Sequence, residues 1–234
     1  QRGLGFLRSP ATESFFDVWV NRVAIEDNDE ECVYLKTNTT QLGNFQFSDC
    51  YFATSLRGIA MFGGSYLPEN NIRDIRVNDC YFTGLQGEAI YLNGSGVRGI
   101  ILSDNIIRGK SEPTPFDVIY INGSSEIVIS GGLINDLYST YRYGTHLEDS
   151  EQVTLGGGLQ IENLGQGAIY LNNSRYIVAE GLIMRNNCNA GDNLHNAVTL
   201  AGSSTYNKFH NCLIVEDADH EQGMSESLSI QSLG

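Results

Sequence analysis

FGGS (62–65), LNGS (92–95), INGS (121–124), LEDS (147–150), LNNS (171–174) and LAGS (200–203) decide how this chain folds. Each tetrapeptide runs from an apolar residue through a variable one to Gly, Asp or Asn, and then to Ser. The third positions are Gly64, Gly94, Gly123, Asp149, Asn173 and Gly202, residue types that tolerate the left-handed backbone of a sharp turn. The serines 65, 95, 124, 150, 174 and 203 follow one another at intervals of 30, 29, 26, 24 and 29 residues. A turn recurring at nearly fixed phase is the signature of a solenoid, whose rungs stack at ~4.8 Å so that each corner becomes a column.

Working outward, a short β-type run precedes each turn: VYL (33–35), AMF (60–62), IYL (90–92), VIYI (118–121), THL (145–147), IYL (169–171) and VTL (198–200). Others follow it: IRDIRV (72–77), RGIIL (98–102), EIVIS (126–130), QVTL (152–155) and YIVA (176–179). A third set includes CYF (50–52), CYF (80–82), NII (105–107) and CLIV (212–215). Several β-branched and aromatic runs per repeat, with no competing helical period, predict an all-β fold. The expected architecture is a right-handed parallel β-helix of about eight coils, the hand following from the crossover rule. An antiparallel sandwich would not need one turn chemistry at one phase.

Residues 1–234 read as a single β-helix domain. The pattern begins mid-coil at FFDVWVNRVAI (15–25) and stops mid-coil at SESLSIQSLG (225–234), so a fragment of a longer chain is expected. Forty-one per cent of residues are apolar, enough for a core, and no apolar run approaches membrane-spanning length. The net charge of −14 argues against a nucleic-acid partner and disfavours a polyanionic glycan. Five cysteines show no zinc-type spacing. Cys50 and Cys80 share the contexts SDCYF and NDCYF, which predicts buried thiols in register and not a disulfide framework.

In its repeated coils, its Asn-Gly-Ser turns and its Asp-Cys-Tyr-Phe elements, the chain resembles the pectate-lyase-like superfamily, and within it the β-helical bodies of phage tailspikes. The resemblance implies a polysaccharide substrate, a homotrimer, and a place in a virion tail or outside a cell. It implies no nucleic-acid or membrane partner and requires no cofactor or metal.

Strand parity supplies candidate site residues. If Leu35, Phe62, Leu92, Ile121, Leu147, Leu171 and Leu200 point inward, then Tyr34, Met61, Tyr91, Tyr120, His146, Tyr170 and Thr199 point outward. A row of mostly small residues, Cys32, Ile59, Ala89, Val118, Gly144, Ala168 and Ala197, should lie beside them. Such a tyrosine stripe suits sugar faces or a subunit seam equally. The preceding corner is long at 109–117, 135–143 and 185–196, and length variation on one side marks a binding side. There Tyr138, Tyr141, Arg142 and Tyr143 suit a carbohydrate wall.

Glu88 and Asp117 occupy the same phase of adjacent coils, with backbones ~5 Å apart. A carboxyl pair at about 5–5.5 Å suits a retaining glycosidase and a wider pair an inverting one, and closeness would keep one group protonated as the acid. Strict parity turns both inward; kinks at Gly87 and Pro115 are needed to tip them out. Glu148 is a reserve candidate. Asp149 is explained by its turn, and His146 and His195 stand without partners in sequence. The clusters DNDEE (27–31) and EDADHE (216–221) read as solvated loops, and the sequons at Asn93, Asn122 and Asn172 as turn chemistry. A lyase and a non-catalytic shaft are the alternatives to a hydrolase.

Overall fold

The computed structural model describes residues 3–7, 16–37, 41–64, 71–109, 116–136, 142–187, 196–215 and 226–230. The chain winds through three parallel sheets, each coil giving one strand to each sheet. Sheet A stacks nine strands, Leu4–Leu7, Glu31–Lys36, Arg57–Phe62, Ile90–Asn93, Ile119–Asn122, Tyr143–Glu148, Gly167–Asn172, Asn196–Ala201 and Glu226–Ile230. Sheet B runs from Val18–Asn21 to Lys208–His210, and sheet C from Ala24–Glu26 to Leu213–Val215. The fold is therefore the parallel β-solenoid expected from the repeat.

The core is a set of columns. In sheet A, Val33, Ile59, Ile90, Ile119, Thr145, Ile169 and Val198 stack in register, as do Leu35, Met61, Leu92, Ile121, Leu147 and Leu171. Sheet B contributes Phe47, Val77, Leu102, Ile129, Leu155 and Ala179, and sheet C contributes Phe52, Phe82, Ile107, Ile134, Ile161 and Met184. All are buried. Thr145 is out of character: its Oγ1 is enclosed in an apolar column without a hydrogen-bond partner among the described residues.

Two register details differ from the sequence reading. Leu92 pairs with Met61 and not with Phe62, so Met61 is the inward residue and Phe62 moves to the next outer column. The row of small residues is buried, not exposed. The backbone turns a corner there, so two successive residues face the core in each coil: Cys32 with Val33, Ala89 with Ile90, Val118 with Ile119, Ala168 with Ile169, Ala197 with Val198. Alternation is lost at that step, and the residue before it, Glu88 or Asp117, is thrown to the outside.

The turn after sheet A keeps its predicted left-handed backbone at five of the six positions, Gly64 being the exception. Gly94, Gly123, Asp149, Asn173 and Gly202 all have positive φ, and a Cβ on Gly94 would lie 2.2 Å from the Gly63 carbonyl oxygen. The serine row is shorter than the tetrapeptides suggest. Ser124 N–H donates to Ser150 Oγ, Ser150 N–H to Ser174 Oγ, and Ser174 N–H to Ser204 Oγ. One extra residue displaces Ser203, whose N–H caps Asn173 Oδ1 instead. Two extra residues displace Ser95, and Val97 pairs with Ile72 ahead of the row. Ser65 lies outside the described residues.

At the corner between sheets B and C, Cys50 and Cys80 are buried free thiols in register, and burial pushes the Cys80 thiol up to about 12. Their preceding residues, Asp49 and Asp79, are left-handed. A further left-handed column crosses sheet B: Asp17, Asn44, Asp74, Gly99, Glu126, Gln152, Tyr176 and Tyr206.

Candidate functional site

The outer face of sheet A carries three parallel columns. The first holds Glu31, Arg57, Glu88, Asp117 and Tyr143. The second holds Tyr34, Ala60, Tyr91, Tyr120, His146, Tyr170 and Thr199, with Ala60 where Met61 was expected. The third holds Lys36, Phe62, Asn93, Asn122, Glu148 and Asn172. Parallel register creates this arrangement, since residues of like phase lie one rung apart.

Glu88 and Asp117 occupy adjacent rungs of the first column, both nearly buried at 7% and 2% exposure. Each is held by an arginine on its far side. Arg57, one coil before Glu88, donates from Nε to Glu88 Oε2 at 2.7 Å and reaches Glu31 Oε1 at 3.5 Å. Arg142, one residue ahead of Tyr143 in the coil after Asp117, makes a two-point contact. Its Nη2 lies 2.9 Å from Asp117 Oδ2 and its Nε 3.3 Å from Oδ1. Burial works against the charge of Arg142, but its hydrogen bonds and attraction to Asp117 outweigh this and raise its pKa. The two carboxylates are thus drawn in opposite directions along the solenoid axis.

Asp117 gathers two more donors. Tyr143 N–H lies 3.3 Å from Oδ1, and His146 Nδ1 lies 2.7 Å from Oδ2, which requires the proton on Nδ1. His146 Nε2 is buried and has no partner among the described residues. Edge-on contacts with Tyr120 and Tyr170, at 4.9 and 4.7 Å between ring centroids, fix the imidazole.

The aromatic column is continuous in the middle coils. Tyr91 and Tyr120 stack at 5.4 Å with 20° between planes, and the Arg57 guanidinium sits 4.5 Å from the Tyr91 centroid. Tyr120 hydroxyl donates to Glu148 Oε2, and Asn172 Nδ2 donates to Glu148 Oε1. Burial raises the pKa of both tyrosines; Glu148 adds to the effect at Tyr120, and Arg57 opposes it at Tyr91.

The structure therefore brings together Glu88, Asp117, Tyr91, Tyr120, Arg142, Tyr143, His146 and Glu148. Tyr138, Tyr141, Pro115, His195 and the 216–221 cluster lie outside the described residues. Within 27–31, Asp27 accepts from Thr54 Oγ1 and Glu31 pairs with Arg57. The sequence reading missed Arg57 and the Asp117–His146 pair. Arg57 was legible in principle: four residues before the inward Met61, it has the phase that Glu88 holds before Leu92.

Among solved structures, the chain is similar to the enzymatically active domain of tailspike protein 2 of bacteriophage CBA120. The TM-score is 0.49 and the identity 10%, over 93% of this chain and 42% of that one. It is also similar to full-length tailspike protein 2 from an Escherichia coli O157:H7 bacteriophage, with TM-score 0.46 and 11% identity over 91% and 42%. The chain spans less than half the length of either, and at these identities the likeness is one of fold alone. No protein-family model matches the sequence, and no curated protein matches it.

Proposed function

We propose that this chain is the body of a glycan-processing β-helix of the tailspike kind, hydrolysing a bacterial surface polysaccharide on the outer face of sheet A. The observation that carries the reading is the stacked Tyr91–Tyr120 pair lying directly beside Glu88 and Asp117 on adjacent rungs. Tyrosine faces take sugar C–H groups, and paired carboxylates supply acid and base or nucleophile. Tyr143, Arg142 and His146 belong to the same face, and His146 holds Asp117 in place through Nδ1. No metal or cofactor enters the scheme.

The test is reducing-end release from purified O-antigen and capsular polysaccharides by the intact protein, alongside Glu88→Gln and Asp117→Asn. Each substitution should lower the rate at least about a hundredfold. Proton NMR of the first product reads the stereochemical outcome, retention for a close carboxyl pair and inversion for a wider one. Full activity in both variants removes these residues from the chemistry.

A second reading has its own support. The ladder Glu31–Arg57–Glu88 and Asp117–Arg142 is self-satisfied, as a structural ladder in a non-catalytic shaft would be. A folded protein that neither binds nor cleaves any glycan favours the shaft.

In either reading the partner copies of a homotrimer fit sheet C better than sheet A. The outer column of sheet C is Tyr51, Tyr81, Ile106, Leu133, Gln160, Ile183 and Leu213, apolar in all but one coil. Beside it stand Glu26, Arg108, Glu162 and Arg185, charges of both signs that a second copy can match. Sedimentation of the intact protein tests this; a monomer at micromolar concentration removes the seam.

A further inference from the structure

Tyr176 and Tyr206 stack in parallel, 5.3 Å between centroids and 9° between planes, and are 48% and 74% exposed. They sit on sheet B's side of the solenoid, away from sheet A's outer face. Both have left-handed φ, 58° and 57°. Earlier coils fill this column with Asp17, Asn44, Asp74 and Gly99, which tolerate that conformation, and then with the unbranched Glu126 and Gln152. A bulky ring there is strained, and neither ring is covered enough for core packing to account for it.

The residues just before them line a groove of about 580 Å³. Arg175 and Thr205 form one wall, with Asp149, Glu151, Asn173 and Ser203 around them. Arg175 Nε is fixed 2.8 Å from Glu151 Oε2, and its guanidinium carbon lies 5.8 Å from the Tyr176 centroid. Hydroxyl, amide, carboxylate and guanidinium groups in a groove linked through Arg175 to an open aromatic stack are what a hydroxyl-rich ring recognises: polar edges meet the groove and C–H faces meet the rings.

We propose that Tyr176, Tyr206 and the Arg175–Glu151 groove form a second glycan-binding site, one that holds a polysaccharide chain without cleaving it. The proposal rests on the glycan reading of the protein but not on the chemistry assigned to sheet A. Such a site raises the effective concentration of a long chain at the first face and does nothing for a fragment too short to span both.

The test uses the intact protein with Tyr176→Asn and Tyr206→Asn combined. Asn occupies the same column at position 44, so the double variant should fold with an unchanged or higher Tm. The probes are purified O-antigen and capsular polysaccharides, and disaccharide to decasaccharide fragments of any that bind. Calorimetry on a Glu88→Gln background gives affinity, and reducing-end release gives turnover. The expected result is about tenfold weaker binding of long polysaccharide, with cleavage of the shortest productive fragment unchanged. Unchanged long-chain affinity overturns the proposal while leaving the sheet A reading intact. Weaker binding by a protein that cleaves nothing supports this site and overturns the hydrolase. No binding by the parent protein overturns both. A fall in Tm with the loss of binding assigns the rings to packing and overturns the proposal.

Discussion

The outer faces of sheets A and C are made by the same coils at the same rung spacing, yet they have opposite chemistry. On sheet A, buried carboxylates, arginines, an imidazole and tyrosine hydroxyls are bound to one another. On sheet C, Tyr51, Tyr81, Ile106 and Leu213 leave apolar surface open, and Tyr51 and Tyr81 stack at 5.6 Å. The inner columns, the left-handed corners and the backbone ladder together specify the solenoid, so the outer columns are free to differ. One face gathers polar groups in register and the other gathers apolar ones. This division is what a protein needs if one side meets a glycan and another meets copies of itself.

The largest test of the contrast removes an arginine from each face. Arg57→Ala leaves Glu31 and Glu88 nearly buried without their cation and should cost about 3 kcal/mol in urea denaturation. Arg108→Ala on sheet C, exposed beside Tyr81, should stay within about 0.5 kcal/mol. Equal effects would mean that the sheet A ladder is no more than solvated charge.

The seam is sharpened next. Ile106→Glu should weaken self-association by at least about 2 kcal/mol, or roughly thirtyfold, in sedimentation equilibrium. Tyr91→Ala on sheet A should leave association unchanged. The reverse pattern would move the seam to sheet A.

Inside the same two sheets, the polar Thr145 interrupts the inner column of sheet A, whereas the inner column of sheet C, from Phe52 to Met184, is apolar throughout. Thr145→Val removes a buried hydroxyl without a partner and should raise stability by about 1 kcal/mol. A loss of stability would show that this hydroxyl is satisfied in solution. The smallest contrast is between tyrosines. Tyr120→Phe deletes the hydrogen bond to Glu148 and should cost about 1 kcal/mol, whereas Tyr81→Phe should change stability by less than about 0.5 kcal/mol.

Much of this was legible beforehand for a physical reason. A turn that must be left-handed restricts residue type, so Gly94, Gly123, Asp149, Asn173 and Gly202 announce the corner wherever the chain meets it. The alternation that places Tyr91 and Tyr120 outward is a property of a single strand. The slips came where position depends on the neighbouring coil. FGGS aligns with LNGS by letter, but packing puts Met61, not Phe62, against Leu92. LAGS aligns with LNNS, but hydrogen bonding chooses Ser204 over Ser203.

The sequence by itself determined the parallel solenoid, its inner columns, its left-handed corners and the adjacent phase of Glu88 and Asp117, because each follows from local residue preference repeated at a fixed period. Tertiary structure alone decided which side of the corner those carboxylates occupy and that Arg57 and Arg142 hold them from opposite ends. It alone paired His146 with Asp117. These contacts join residues about 25 to 31 positions apart, and only the stacked coils, with insertions of one or two residues absorbed at the turns, set which side chains meet.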